Sequence, residues 1–142
     1  MRLSSRCSVA LHCLIVIADA QDQTKVTSEL LARSTGCNAA AIRSILNSLK
    51  KCGIIDIKRG VGGAYLKQTP TKITIWSVYH ALEPDGLAHF IGLHPNPSEY
   101  CPVGRQIYAI LEKPYSDIGE TIQKEMERIT LQQLLDEHDA EG

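Results

Sequence analysis

The segment from residue 27 to residue 65 combines two short helical patterns across a tight turn with a glycine-rich hairpin. Thr27 and Asn38 are the predicted N-caps of the two helices, and Gly36 is placed to close the first helix in a left-handed conformation. An alternating strand pattern follows, and its return partner begins within the glycine-rich hairpin at residues 58–65. This order of elements predicts a winged helix-turn-helix, which lays one helix and one basic loop on nucleic acid.

The second helix of this segment, residues 38–52, has one apolar face and one polar face. The polar face is small, polar or basic and carries no acid; with the cap Asn38, its residues are Ala40, Arg43, Ser44, Asn47 and Lys51. Such a face can approach base edges without steric bulk or charge repulsion, so this is the predicted recognition helix. We expect Arg43, Ser44 and Asn47 to read bases and Lys51 to hold a phosphate, although an ordinary solvated face has the same pattern.

The hairpin and the N-terminus supply the remaining predicted DNA contacts. Glycines permit positive backbone angles and leave no side chain between the chain and a groove wall; here they are Gly60, Gly62 and Gly63. Arg59 at the tip is placed to enter a minor groove, and Arg2 and Arg6 are expected to hold phosphates. A phosphate cradle of a nucleotide enzyme would need a helix directly after the glycines, and the sequence predicts none there.

The net charge of −1 conceals two halves of opposite sign. Residues 1–74 contain eleven Lys and Arg against four Asp and Glu, a net of +7, whereas residues 75–142 contain four against twelve, a net of −8. The basic half favours a polyanion as partner, and the acidic half should lie away from phosphates. Chance segregation of solvated charges is the alternative in a chain this short.

Helical patterns on both sides of the central segment divide the chain into three regions. Residues 3–20 form a predicted amphipathic helix, and Thr74 caps a predicted fourth helix. Residues 1–83 are therefore assigned to a winged helix-turn-helix DNA-binding domain. The glycine- and proline-containing residues 84–100 are the predicted mobile loop, and residues 101–142 the helical dimerisation region. The expected fold class is mainly α with a small β-wing.

The last region carries a long apolar stripe that needs a partner. Its predicted interface residues are Ile107, Leu111, Ile118, Ile122 and Met126. A small winged-helix core leaves little to cover this stripe, so the sequence predicts helix-to-helix homodimerisation. Pro114 predicts a kink or a short break in the long helix. Thr130 with Gln133 predicts a capping box for a last short helix.

Five cysteines at irregular spacing indicate reduced thiols rather than a disulfide framework. Cys101 is the candidate sensor, because the start of a helix favours a reactive thiolate; the alternative is a thiol that only caps the helix or packs under the loop. Cys7 and Cys13 are expected in the core, and burial is also the simpler expectation for Cys37 and Cys52.

Other classes of function find less support in the sequence. No serine, cysteine or carboxylate has a base and an orienting group at an interpretable spacing, so an enzyme is not expected. His89, His94 and Cys101 match no metal-ligand motif, so no metal site is expected. The start resembles no signal peptide and no stretch is long and apolar enough to span a membrane, so the expected location is the cytoplasm, without a membrane partner.

Four landmarks in this order resemble the Rrf-two (IscR-like) family of winged helix-turn-helix transcription factors, over nearly the whole chain. They are MRLSSR at residues 1–6, KRGVGGAY at 58–65, a helix with ITI and ALE at 73–83, and ITL at 129–131. The resemblance implies a homodimeric DNA-binding regulator, usually a repressor, with a long dimerisation helix behind a basic DNA-binding half.

The chain departs from the family pattern at two places. Several members bind an iron–sulfur cluster through three cysteines just before and at the start of the long helix, where this chain has only Cys101. We therefore expect no such cluster within one subunit. Where relatives commonly carry Leu-Glu-Gln in the recognition helix, this chain has Ile42-Arg43-Ser44. Because Arg43 favours guanine or phosphate, the operator sequences of relatives are not transferred to it.

The interpretation preferred from the sequence is a homodimeric, sequence-specific regulator, a repressor, that binds double-stranded DNA. Its operator should be palindromic, with half-sites about one helical turn apart. Two alternatives remain. One is a winged-helix protein-interaction module that does not bind DNA, and the other is a thiol-responsive regulator that senses through Cys101.

Overall fold

A computed structural model describes residues 4–60, 62–88 and 90–142. These residues form six α-helices, one 3-10 turn (Pro70–Lys72) and a two-stranded sheet. The helices are α1 (Arg6–Ala20), α2 (Ser28–Thr35), α3 (Ala39–Lys51), α4 (Ile75–Leu82), α5 (Pro102–Arg128) and α6 (Leu131–Glu141), and the strands are β1 (Ile55–Ile57) and β2 (Ala64–Leu66). The predicted fold class, mainly helical with a small wing, is confirmed.

The helix-turn-helix begins and ends at the capping residues that the sequence indicates. At the start of α2, the Thr27 hydroxyl accepts a hydrogen bond from the N–H of Leu30 at 3.1 Å, and Gly36 closes the helix with a φ of 78°. At the start of α3, the side-chain oxygen of Asn38 accepts a hydrogen bond from the N–H of Ala41 at 2.8 Å. Each cap satisfies a donor that the first turn of a helix leaves unpaired, so local chemistry defines the turn.

Helix α1 lies at the centre of the fold and contacts α2, α3, α4, α6 and β2. Its fully buried residues are Ala10, Cys13, Leu14 and Ile17. The helical spacing in the sequence predicts an apolar face that includes Leu11, Ile15 and Ala18. Leu11 and Ile15 are half-buried and pack against the core, whereas Ile17, which this predicted face leaves out, is fully buried. Elements pack around most of this helix, so the stripe expected for a helix with one covered face does not identify its core side. Leu3, the predicted start of this helix, lies outside the described residues, and the described Ser4 and Ser5 are not helical, so α1 begins later than predicted, at Arg6.

The two strands pair antiparallel, and both edges of β2 are bonded. Ile55 of β1 lies opposite Leu66 of β2. On the other edge of β2, the N–H of Ala64 donates to the carbonyl oxygen of Val26 at 2.9 Å, and the N–H of Leu66 donates to the side-chain oxygen of Gln21 at 2.8 Å. An isolated two-stranded hairpin is only marginally stable, so these bonds hold the wing beside the helix-turn-helix.

The C-terminal helix returns to the N-terminal core. The N–H of Ile75 donates to the carbonyl oxygen of Ile129 at 2.9 Å, and the N–H of Leu131 donates to that of Ile73 at 2.7 Å. Both capping residues predicted here are confirmed, with full capping boxes at Thr74 and Thr130. Leu131 is fully buried and α6 packs on α1, so the last helix belongs to the same core as the first.

Helix α5 spans 27 residues, which corresponds to about 40 Å. It continues through Pro114, so the short break predicted there as the alternative to a kink is wrong. A proline in a helix interior removes one intrahelical hydrogen bond at a cost of about 3 kcal/mol, and α5 remains continuous despite this cost. Every side chain of α5 is exposed or half-buried within the single chain. Among the described residues, no helix is both long and apolar enough to cross a membrane.

Candidate nucleic-acid interface

The outer face of α3 is exposed and its inner face forms part of the core. The buried residues are Ile42, Ile45, Leu46 and Leu49. Ala40, Arg43, Ser44, Asn47 and Lys51 are exposed, as the sequence predicts. Full burial of one Leu or Ile side chain stabilises by about 1.5–3 kcal/mol, so the inner face holds α3 firmly while the outer face is free for a ligand.

A groove of about 390 Å³ lies between the outer face of α3, the start of α2 and the wing. Its lining includes Thr27, Ser28 and Glu29 of the α2 start, Arg43, Asn47 and Lys50 of α3, and Ile57, Gly63 and Ala64 of the wing. The folded chain therefore brings two of the three predicted base-reading residues onto one surface with the wing. A winged helix that binds DNA requires this proximity, because the helix and the wing must contact neighbouring parts of one duplex.

Packing within the fold requires glycine in the wing, independently of any contact with DNA. Gly62 and Gly63 have φ angles of 67° and 100°. A β-carbon at Gly62 would lie 2.6 Å from Cε of Lys25, and one at Gly63 would lie 3.2 Å from the backbone nitrogen of Val26. Glycine is therefore needed at Gly63 both for its backbone angle and for the close approach of the preceding segment.

Basic side chains surround the tip of the wing. Arg59 is exposed there, and the Lys58 ammonium lies 5.5 Å from the centroid of the Tyr65 ring, within the range of a cation–π interaction. The side chain of Lys25 also lies close to Gly62. The Lys50 ammonium, at the edge of the groove, lies 4.0 Å from the carboxylate of Asp56.

Arg6 and the cap residue Asn38 each have a hydrogen-bond partner within the chain. The Arg6 guanidinium donates to the carbonyl oxygen of Leu82 at 3.4 Å, at the end of α4, and its side chain is half-buried. Asn38 uses its side-chain oxygen as the cap of α3. Arg2 lies outside the described residues. The phosphate contacts of Arg2 and Arg6 stay predictions.

The cysteines occupy different environments. Burial raises the pKa of Cys13 to about 11, with a smaller contribution from the nearby Cys37, and burial also raises the pKa of Cys7. Cys101 is exposed at the start of α5 and makes no capping hydrogen bond through its side chain. Cys37 is half-buried, whereas Cys52 is exposed, so the expected burial of Cys52 is wrong. Its position at the C-terminal end of α3 turns it away from the core.

Sequence reasoning missed several residues of this surface. Lys25 and Lys50 line the wing and the groove, and Ile57 is 41% exposed at the groove although its alternation predicts a strand residue facing the core. The clustering of Lys in residues 1–74 was a signal for the two lysines. No sequence signal marks Ile57, because only the packing of the wing decides which side of a three-residue strand is covered.

Comparison with known proteins indicates a family of transcriptional regulators over nearly the whole chain. The Rrf2 family model, described as an iron-dependent transcriptional regulator, matches residues 3–137. YwnA of Bacillus subtilis (strain 168), which is named as an HTH-type transcriptional regulator, is 31% identical over 133 residues, covering 94% of this chain and 96% of YwnA. These relatives are transcriptional regulators rather than enzymes.

Solved structures agree in the fold. A crystal structure described as that of a DNA-binding protein is 30% identical, with a TM-score of 0.74 over 92% of this chain and 99% of that chain. A transcriptional regulator from Lactobacillus plantarum is 23% identical, with a TM-score of 0.80 over 96% and 91%, which supports the fold alone. Because the family model and a relative more than 30% identical both span nearly all of the sequence, the chain belongs to the Rrf2 family of transcriptional regulators.

Proposed function

We propose that the protein is a homodimeric repressor that inserts α3 into the major groove of a palindromic operator and places the wing on the adjacent backbone. The observation that carries this proposal is the groove shared by Arg43, Asn47 and Gly63. Two of these residues can make hydrogen bonds to base edges, and the third lets the backbone approach the duplex closely. The excess of basic residues in the first half of the chain adds the sequence-independent attraction to phosphates.

The test is selection of bound fragments from the source genome, followed by titration of a selected fragment at several salt concentrations. We expect affinity to fall steeply with salt and to fall at least about tenfold in Arg43→Ala and Arg59→Ala. Arg105→Ala is the matched control, because Arg105 is an exposed arginine on α5. Binding that is insensitive to salt, or equally weakened in the control, would contradict the proposal. Failure to retain any fragment would favour the protein-interaction module.

We propose that a second copy of the chain packs against a row of exposed apolar residues on α5. Val103, Ile110 and Ile118 are 62%, 52% and 44% exposed, at spacings of seven and eight residues that keep them near one side of a helix. Of the predicted interface residues, Ile118 is exposed, whereas Ile107, Leu111, Ile122 and Met126 are half-buried within their own chain. Antiparallel or parallel contact with the same row of a second chain would cover these side chains.

Oligomeric state measured by light scattering after gel filtration tests this part. The Ile110→Asp/Ile118→Asp variant should be monomeric and should lose most of its affinity for a two-half-site operator. Tyr100→Asp is the control, because Tyr100 is 89% exposed but lies outside the row. A dimer that survives both substitutions in the row would show that another surface joins the copies.

We further propose that the regulator works without an iron–sulfur cluster held within one subunit. Cluster iron needs several thiolate or comparable ligands, and Cys101 is the only cysteine from residue 84 to the end of the chain. The exposed Cys101 leaves a thiol response open as the second candidate mechanism. If Cys101→Ser leaves the effect of every oxidant on DNA binding unchanged, the thiol response is wrong.

A further inference from the structure

A cavity of about 810 Å³ lies between α5 and the loop that follows α4. Leu87 and Phe90 of the loop and Tyr108 and Tyr115 of the helix form part of its wall. The volume falls within the range of about 300–1,000 Å³ that small-molecule sites occupy. At 100° per residue, the cavity residue Glu112 lies about 200° around the helix from the exposed Ile110, so these two side chains lie on different sides of α5.

The charges at this cavity have one sign. Glu112 and Glu120 belong to the lining, and its other described members are neutral. Within the described part of the chain, neither carboxylate forms an ion pair. Two carboxylates next to apolar walls produce a negative potential that attracts a cation and repels an anion.

Aromatic side chains supply the second part of the recognition chemistry. The Tyr108 hydroxyl donates to the carbonyl oxygen of His94 at 2.5 Å, which holds its ring between the loop and the helix. Tyr115 and Phe90 are half-buried in the same wall. The faces of aromatic rings attract organic cations and also bury apolar groups attached to them.

We propose that this cavity binds a small organic cation with an apolar or aromatic body. The walls remove the body of the ligand from water, and Glu112 and Glu120 neutralise its charge. Glu112 and Glu120 are exposed, so a neutral apolar ligand would displace water from their carboxylates without supplying a counter-charge, which disfavours it. An organic anion of the same shape would be repelled.

The position of the cavity links it to the DNA-binding part through α4. Helix α4 contacts both α3 and α5, and the Tyr79 hydroxyl donates to the carbonyl oxygen of Gly86 at 3.4 Å, one residue before Leu87. A ligand that holds the loop against α5 therefore changes the support of α4 beneath α3. This effect on DNA binding rests on the proposed function, whereas ligand binding itself is measured without DNA.

Isothermal titration calorimetry with tetraphenylphosphonium and tetraphenylborate tests the site, because the two ions share a shape and differ in the sign of their charge. We expect one tetraphenylphosphonium per chain and at least about tenfold weaker binding of tetraphenylborate. In Glu112→Gln/Glu120→Gln, the cation should bind at least about tenfold more weakly, with the folded state verified by circular dichroism.

Glu127→Gln is the matched control, because Glu127 is an exposed carboxylate of α5 outside the cavity. It should bind the cation as the unmodified protein does. Equal binding of the two ions, equal loss in the control, or no binding to the unmodified protein would overturn the site. If the cation binds but leaves the affinity for a selected DNA fragment unchanged, the site stands and its link to α3 is wrong. If no fragment is bound with or without the cation, the proposed function fails while the site is judged by calorimetry alone.

Discussion

The side-chain oxygen of Gln21, just after α1, accepts a hydrogen bond from the backbone N–H of Leu66 in the wing at 2.8 Å. The two residues are 45 positions apart, and their bond joins the end of the central helix to the edge of β2 that does not pair with β1. Together with the bond from Ala64 to Val26, it sets where the wing lies relative to the helix-turn-helix.

Gln21→Leu should lower the free energy of unfolding by about 1–2 kcal/mol, because it leaves a half-buried backbone donor without a partner. Gln21→Glu keeps an acceptor at this position and should lose less. Urea unfolding followed by circular dichroism measures both, with the exposed Gln23→Leu as control. Equal stability of the Leu and Glu variants would mean that the hydrogen bond does not support the wing.

Asn38 allows its capping role to be separated from its predicted DNA contact. Asn38→Ala should cost about 0.5–2 kcal/mol of stability because the cap of α3 is lost, whereas Asn38→Ser keeps a good cap and should cost little. DNA affinity is then compared in the two variants. If the Ser variant is as stable as the unmodified protein but binds DNA less well, Asn38 contacts DNA as predicted from the sequence. Unchanged affinity in that variant would restrict Asn38 to the cap.

Substitution by alanine should have opposite effects on stability at two glycines of α5. A β-carbon at Gly104 would clash with the carbonyl oxygen of Ser98, so Gly104→Ala must displace backbone of the preceding loop and should destabilise by more than about 1 kcal/mol. A β-carbon at Gly119 would meet Leu87 and Phe90 at 3.9 Å, an ordinary contact. Because alanine has a higher helix propensity than glycine, Gly119→Ala should stabilise the protein by up to about 1 kcal/mol. Thermal unfolding of both variants measures the contrast, and equal shifts would contradict it.

The burial and the raised pKa of Cys13 predict that its thiol reacts slowly and that stability depends on pH. With a pKa of about 11 it is almost wholly protonated at pH 8, so pulsed alkylation with iodoacetamide should modify the exposed Cys52 and Cys101 long before Cys13. Mass spectrometry of the digested protein measures the order. Early labelling of Cys13 would contradict its burial.

The raised pKa of Cys13 also predicts the direction in which the free energy of unfolding changes with pH. The pKa of Cys13 is raised from 9.0 to about 11 on folding, so its contribution to stability is complete below pH 9 and is lost as the pH rises toward 11. Burial raises the pKa values of Cys7 and Tyr79 in the same direction, so the comparison must be made against Cys13→Ala. The variant should show a smaller fall in the free energy of unfolding between pH 9 and 11. An unchanged slope would contradict the assignment to Cys13.

Much of the fold follows from local sequence chemistry. Thr27, Asn38, Thr74 and Thr130 cap the helices that they are predicted to cap, because each cap depends on a hydrogen bond to a backbone group only three residues away. The two faces of α3 are likewise predictable, since one side of that helix is covered and the other is not. The family landmarks, in their order along the chain, identify the Rrf2 family before any coordinate is known, and the match of the family model to residues 3–137 confirms this family.

Other features depend on contacts between distant parts of the chain, and no local pattern carries them. The buried side of α1 differs from its predicted stripe because helices and a strand pack around that helix from several directions. The division of α5 into an exposed row and a cavity wall arises because the loop after α4 covers one side of the helix and not the other. The partners of Gln21 and Arg6 are also set by elements far away in sequence.

The sequence by itself therefore determined the winged helix-turn-helix, its caps, its family and the basic character of the first half of the chain. Each of these depends on short-range periodicity, capping chemistry or composition. Only the tertiary structure decided which residues share the groove with the wing, which side of α5 is left uncovered and where Glu112 and Glu120 meet an apolar cavity. Those relationships arise from packing, in which the neighbours of a side chain are chosen by the whole fold rather than by adjacent residues.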